Sequence, residues 1–234
     1  MKRLTAPLIL LAAHAQAQHG ELLAGMSAMR REDHATAEAA FTKAVAEAPS
    51  DAKAWYYRAV NRMGMGDLGG ALKDLDQALA LSPDDAHALL RRAEVKGRLG
   101  AEHSALADLA RILSVRPTGP AAEHALLQLG HFAMSRNDLL GAKAHYDHLV
   151  GIAPYNALGW CNRGVVLAAM HQDDDALADL ERAAEMDPTL EQAHVQRALV
   201  LLRMDRKQEA CAALHQAHGL GDRSVEELLL IYCE

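Results

Sequence analysis

His145 and His148 stand three residues apart, as do His215 and His218, and on a helix each pair would share one face. Imidazoles so spaced can hold a metal ion, but a specific site needs three or four converging ligands in defined geometry. The sequence supplies pairs only. They read as solvated helix faces, and a histidine-dependent metal carrier stands as the alternative function. Three cysteines, Cys161, Cys211 and Cys233, form the other reactive set. Paired carboxylates, nucleophile elbows and cysteine-pair metal spacings are absent. The expectation is therefore a binding protein with no catalytic residue and no cofactor, not an enzyme.

The elements that position these residues follow from a ruler in the sequence. The stretch ALALSPDDAHALL breaks a run of helix formers at Pro83, where proline would remove a backbone donor, and offers Asp84 or Asp85 as the next cap. The same break recurs at Pro49, Pro83, Pro117, Pro154 and Pro188, at intervals of 34, 34, 37 and 34. Alanine keeps that lattice at Ala37, Ala71, Ala105, Ala142, Ala176 and Ala210. A small residue keeps it at Gly25, Ala59, Ala93, Gly130, Gly164 and Ala198, and a bulky one at Phe41, Leu75, Leu109, Tyr146, Leu180 and Leu214. The shared interval of 37 places a three-residue insertion around Thr118 to Ala122. On this ruler Gly66, Gly69 and Gly70 of GMGDLGGAL fall in a turn between helices, which removes their likeness to a phosphate-binding loop.

A 34-residue period with these small and bulky positions resembles the tetratricopeptide repeat family. The resemblance implies an all-α, right-handed α-solenoid of six helix-turn-helix repeats, at 18–51, 52–85, 86–119, 123–156, 157–190 and 191–224, with a C-terminal capping helix over 225–234. Trp55 and Trp160 fill the bulky place early in the first helix, and Leu89 and Leu126 fill it less typically. Glu21 and His194 depart from it, and Asp222 replaces the last closing proline. Small residues belong where two helices 8–10 Å apart come closest, and stacked hairpins bury a face that one hairpin cannot.

The resemblance also implies a concave face built by the first helices. Its partner-binding residues are expected at Met26, Met29, Tyr56, Val60, Met63, Leu90, Glu94, Leu127, His131, Met134, Cys161 and Val165, ending at Val195 and Leu199. Methionine-rich lining suits an apolar peptide or protein segment. Leu22 and Met26 stand where relatives that grip a terminal carboxylate carry Lys and Asn, so no such clamp is expected. With a turn around Asp222, Cys211 and Cys233 lie eleven positions to either side and face each other across a hairpin. They are expected to form a disulfide; two buried free cysteines are the alternative.

The chain starts with Lys2 and Arg3, an apolar run from Leu4 to Ala13, and Ala15-Gln16-Ala17, which reads as a signal peptide over 1–17 cleaved after Ala17. A buried amphipathic first helix is the alternative. The run is too short for the roughly 20 residues of a spanning helix, so no membrane insertion is expected. An exported chain with an odd cysteine count implies one bridge and one free thiol. The expected location is periplasmic or secreted, and the expected role a protein-protein interaction scaffold in cell-envelope assembly or secretion. Formal charge is -7; losing Lys2 and Arg3 makes it -9. With aromatics at 4%, nucleic acid is not an expected partner.

Overall fold

Asp33, Asp51, Asp67, Asp85, Asp138 and Asn156 each accept a backbone N–H from the first turn of the helix that follows. Such caps satisfy donors that a helix start leaves unpaired. Between the first and second helix of each pair, one residue takes the left-handed conformation: Glu32, Gly66, Gly100, Asn137, His171 and Asp205. These six keep the same 34-34-37-34-34 lattice. Glycine adopts that conformation without steric cost, so Gly66 and Gly100 are the relaxed versions of a turn that four side-chain-bearing residues make under strain.

The computed structural model describes residues 20–233. The expected leader at 1–17 lies outside them. Two units divide the chain, residues 1–115 and 116–234. In the first, α1 (20–30) pairs with α2 (His34–Glu47), α3 (Ala52–Gly64) with α4 (Leu68–Leu81), and α5 (Ala86–Arg98) with α6 (Glu102–Val115). In the second, α7 (Pro120–Ser135) pairs with α8 (Leu139–Ile152), α9 (Ala157–Ala169) with α10 (Asp173–Met186), and α11 (Glu191–Arg203) with α12 (Lys207–Leu220). A short 3-10 turn (Arg223–Val225) and α13 (Glu226–Tyr232) follow. Within each unit every hairpin packs its first helix on the second helix of the hairpin before it. The fold is all-α, with no strand among the described residues.

One local reading needs correction. Only Gly66 of GMGDLGGAL lies in the turn; Gly69 and Gly70 belong to the first turn of α4, because the Asp67 carboxylate captures the Gly70 N–H at 2.9 Å and starts the helix there. The insertion, placed around Thr118 to Ala122, lengthens a helix. Pro120 opens α7 behind Gly119, which has φ 88°, so α7 runs 16 residues where α3, α5, α9 and α11 run 13. Proline suits that first position, where its missing N–H costs nothing.

The small and bulky series meet inside each hairpin. A Cβ built on Gly25 would lie 2.5 Å from the Phe41 ring, and one on Gly130 2.3 Å from Tyr146 Cζ. Ala59, Ala93 and Ala198 hold the corresponding place against Leu75, Leu109 and Leu214, and all six of these are buried. Glycine therefore goes with an aromatic sixteen residues on, and alanine with leucine. Gly164 against Leu180 is the exception, and there the Ala176 carbonyl, 3.1 Å from such a Cβ, also crowds the site.

Candidate functional site

The first helices of each unit carry the residues expected to meet a partner. In the first unit Met26 and Met29 pack beside Ala28, Ala37 and Phe41, together with Leu22 and Tyr57. The Tyr57 ring stacks on Phe41 at 6.1 Å and meets Tyr56 edge-on at 5.2 Å. Tyr56, Val60 and Leu90 are half-buried, so each keeps surface for a ligand, whereas Met63 is nearly covered. Glu94 is taken by Arg91 at 2.8 Å. Leu22, Met26, Ala48 and Tyr57 line an open cavity of about 560 Å³ together with Ser50, Asp51 and Lys53. Tyr57 and Lys53 were not among the expected residues, although each lies one turn or less from Tyr56 on α3.

In the second unit Leu127, Met134 and Val165 are half-buried and His131 is exposed at one edge. The His131 ring stands edge-on to Tyr146 at 6.4 Å, and burial on that side lowers its pKa. Cys161 must be withdrawn from the set: it is wholly buried in the core of α9, α10 and α11. Its short side chain does not reach past its neighbours as Tyr56, Leu90 and Leu127 do at the same repeat position. Burial raises its pKa to about 12, so the thiol is neutral and inert. Val195, like Leu228 and Leu229 of α13, packs against the buried cluster of Ala198, Ala213, Leu214, Ala217 and Val225, while Leu199 stays exposed.

The histidine pairs do not converge. No group of three or more His, Cys, Asp or Glu able to hold a metal occurs among the described residues. His145 is half-buried on α8 and burial lowers its pKa; His218 instead reaches Arg223 and Glu226. His194, at the place of Trp55 and Trp160, does the same work as they do. The indole N–H groups donate to the Pro49 and Pro154 carbonyls, and His194 Nε2 to that of Pro188, all at 2.9 Å.

A ladder of ion pairs went unforeseen. Asp74, Asp108 and Asp179 each receive two hydrogen bonds from an arginine sixteen residues earlier, Arg58, Arg92 and Arg163. Those bonds raise each arginine's pKa. Arg92 and Arg163 also reach back to Asp76 and Asp147 of the preceding hairpin. The ladder thus ties adjacent hairpins, and the same lattice applied to charged residues would have found it. At the end of the second unit, Cys211 on α12 and Cys233 after α13 bring their Cα atoms to 5.5 Å, within bridging reach.

Models of the tetratricopeptide repeat match residues 22–61 and 52–85. The chain is 36% identical over 59 residues, 25% of its length, to the Hsp70-Hsp90 organizing protein of Triticum aestivum, and spans only 10% of that relative. Among solved structures it resembles PilF of Pseudomonas aeruginosa, with TM-score 0.78 and 15% identity over 95% of this chain and 100% of that one. It also resembles PilW, described as a widely conserved type IV pilus biogenesis factor, with TM-score 0.77 and 20% identity over 92% and 99%. These two share its fold. With helical hairpins on one lattice, small and bulky residues meeting at each crossing, and the family's models matching residues 22–61 and 52–85, the chain carries tetratricopeptide repeats over residues 22–85 and repeats their fold in the hairpins that follow.

Proposed function

We propose that this protein is a protein-protein interaction scaffold of the cell envelope that holds an apolar segment of a partner on its first-helix faces. The observation that carries this reading is the half-open aromatic and methionine surface of Met26, Met29, Tyr56, Tyr57 and Leu90. Such surfaces adapt to apolar side chains of varied shape. A likeness in fold to a pilus biogenesis factor supports an envelope role. Charge substitutions at Tyr56, Leu90 and His131 are expected to abolish crosslinks to the partner in native envelopes, read by mass spectrometry, while helicity stays unchanged. Crosslinks that survive in the triple variant overturn the reading.

Export and a disulfide belong to the same proposal. The leader is removed after Ala17, and Cys211 bonds to Cys233, holding α13 on α12 at a gain of about 3 kcal/mol. Intact mass after alkylation tests both. A chain lacking residues 1–17, with one alkylated cysteine when unfolded and three after reduction, is the expected result. The full-length mass sinks export, and three alkylations without reductant sink the bridge.

A further inference from the structure

We propose that the cavity on the first unit selects an acidic ligand: an apolar side chain seats on Leu22, Met26 and Tyr57 while a neighbouring carboxylate meets Lys53. This rests on the scaffold reading and adds the chemical class of what the scaffold holds.

The seat is apolar and rigid. Tyr57 is fixed by its stack on Phe41 and its edge contact with Tyr56, so little freedom is lost when a side chain packs against it. Two charged groups flank it. One Asp51 oxygen accepts the Lys53 backbone N–H at 2.9 Å and caps α3, which commits that carboxylate to the helix start. The Lys53 ammonium is exposed and meets no carboxylate among the described residues.

The wider charge pattern points the same way. Although the chain is acidic overall, the first helices of the first unit are basic: one Lys or Arg on α1, three on α3 and four on α5, against Glu21 and Glu94 alone. Arg58, Arg62, Arg92 and Lys96 are spent on Asp74, Glu38, Asp76 and Asp108. Among the described residues, Arg30, Lys53 and Arg98 are left exposed without such a partner. In the second unit α7, α9 and α11 carry only three Lys or Arg against two Glu. Unmatched positive charge beside an apolar seat favours acidic partners by complementarity, and it speeds their encounter.

The test is an NMR titration of the isotope-labelled chain with three small probes: N-acetyl-Leu-Asp-amide, its uncharged Leu-Asn counterpart and Ala-Asp. Saturable shifts are expected at Leu22, Met26, Lys53 and Tyr57 with the Leu-Asp probe, and about fivefold weaker binding of the other two. Lys53→Met keeps the backbone cap and should erase the preference for Asp over Asn. Equal binding of the Asp and Asn probes overturns the acidic class while leaving an apolar docking face intact. Absence of shifts at these residues overturns the subsite, and the envelope crosslinks then decide the scaffold reading separately.

Discussion

Gly130→Ala is expected to destabilise the chain by about 2 kcal/mol, and adding Tyr146→Leu to return much of that loss. Inside a helix, alanine is favoured over glycine by about 1 kcal/mol, so an unobstructed site would gain stability. Here the new methyl would sit 2.3 Å from Tyr146 Cζ and 2.4 Å from Cε1. The ring has nowhere to go, because Tyr146 is 1% exposed and packed in the α7–α8 crossing. Overpacking of this kind costs about 1–3 kcal/mol, sometimes more, and outweighs the propensity gain. The double substitution recreates the alanine-leucine crossing that Ala59–Leu75, Ala93–Leu109 and Ala198–Leu214 already use. Tyr146→Leu alone leaves space beside Gly130 and is destabilising as well, so the pair should couple favourably by at least 1 kcal/mol. Urea denaturation of the four proteins measures it. Wild-type stability in Gly130→Ala would mean that the helices separate freely, and that the glycine-aromatic pairing carries no constraint.

That pairing marks how far the sequence was readable. The lattice of Gly25, Ala59, Ala93, Gly130, Gly164 and Ala198 marks the helix crossings in the sequence itself, because helix contacts repeat whenever the repeat does. What escaped was the information carried between positions: which small residue accompanies which bulky one, and which arginine faces which aspartate. The ladder was obscured because only the second, third and fifth hairpins carry it whole, while the fourth places Leu129 and His145, and the first Ala24 and Ala40, where those three place Arg and Asp. His194 read as a departure, since residue type was compared where the working feature was one ring N–H aimed at a proline carbonyl. Cys161 failed for a different reason. Register fixes the direction of a side chain, but its length decides whether it reaches solvent, and a cysteine at a tyrosine's position stays inside.

The ladder supplies the second large effect: Asp74→Ala should lower stability by about 3–5 kcal/mol, while Asp84→Ala should cost about 1 kcal/mol or less. Both aspartates bind arginine, so pair counting alone would rank them equal. Burial separates them. The Asp74 side chain is 3% exposed and accepts from Arg58 Nε and Nη2 at 2.8 Å and from Arg62 Nη1 at 2.9 Å. Asp84 and Arg111 are about half exposed, where water competes for both charges. Truncating Asp74 strands Arg58 in a slot where its side chain is 11% exposed, with the Trp55 face 5.0 Å away as its remaining partner. Arg62 retains Glu38 at 2.8 Å and suffers less. The chain contains a natural version of this truncation. Arg197 keeps the ladder position in the last hairpin, but the place of the aspartate is Ala213; its Nη2 turns to Gln216 Oε1 at 2.7 Å and its Nε is buried without a partner. If most of the cost comes from the stranded cation, Asp74→Ala combined with Arg58→Met should be more stable than Asp74→Ala alone. Denaturation midpoints read this directly, and a double variant no better than the single one would place the loss in the carboxylate's own contacts instead.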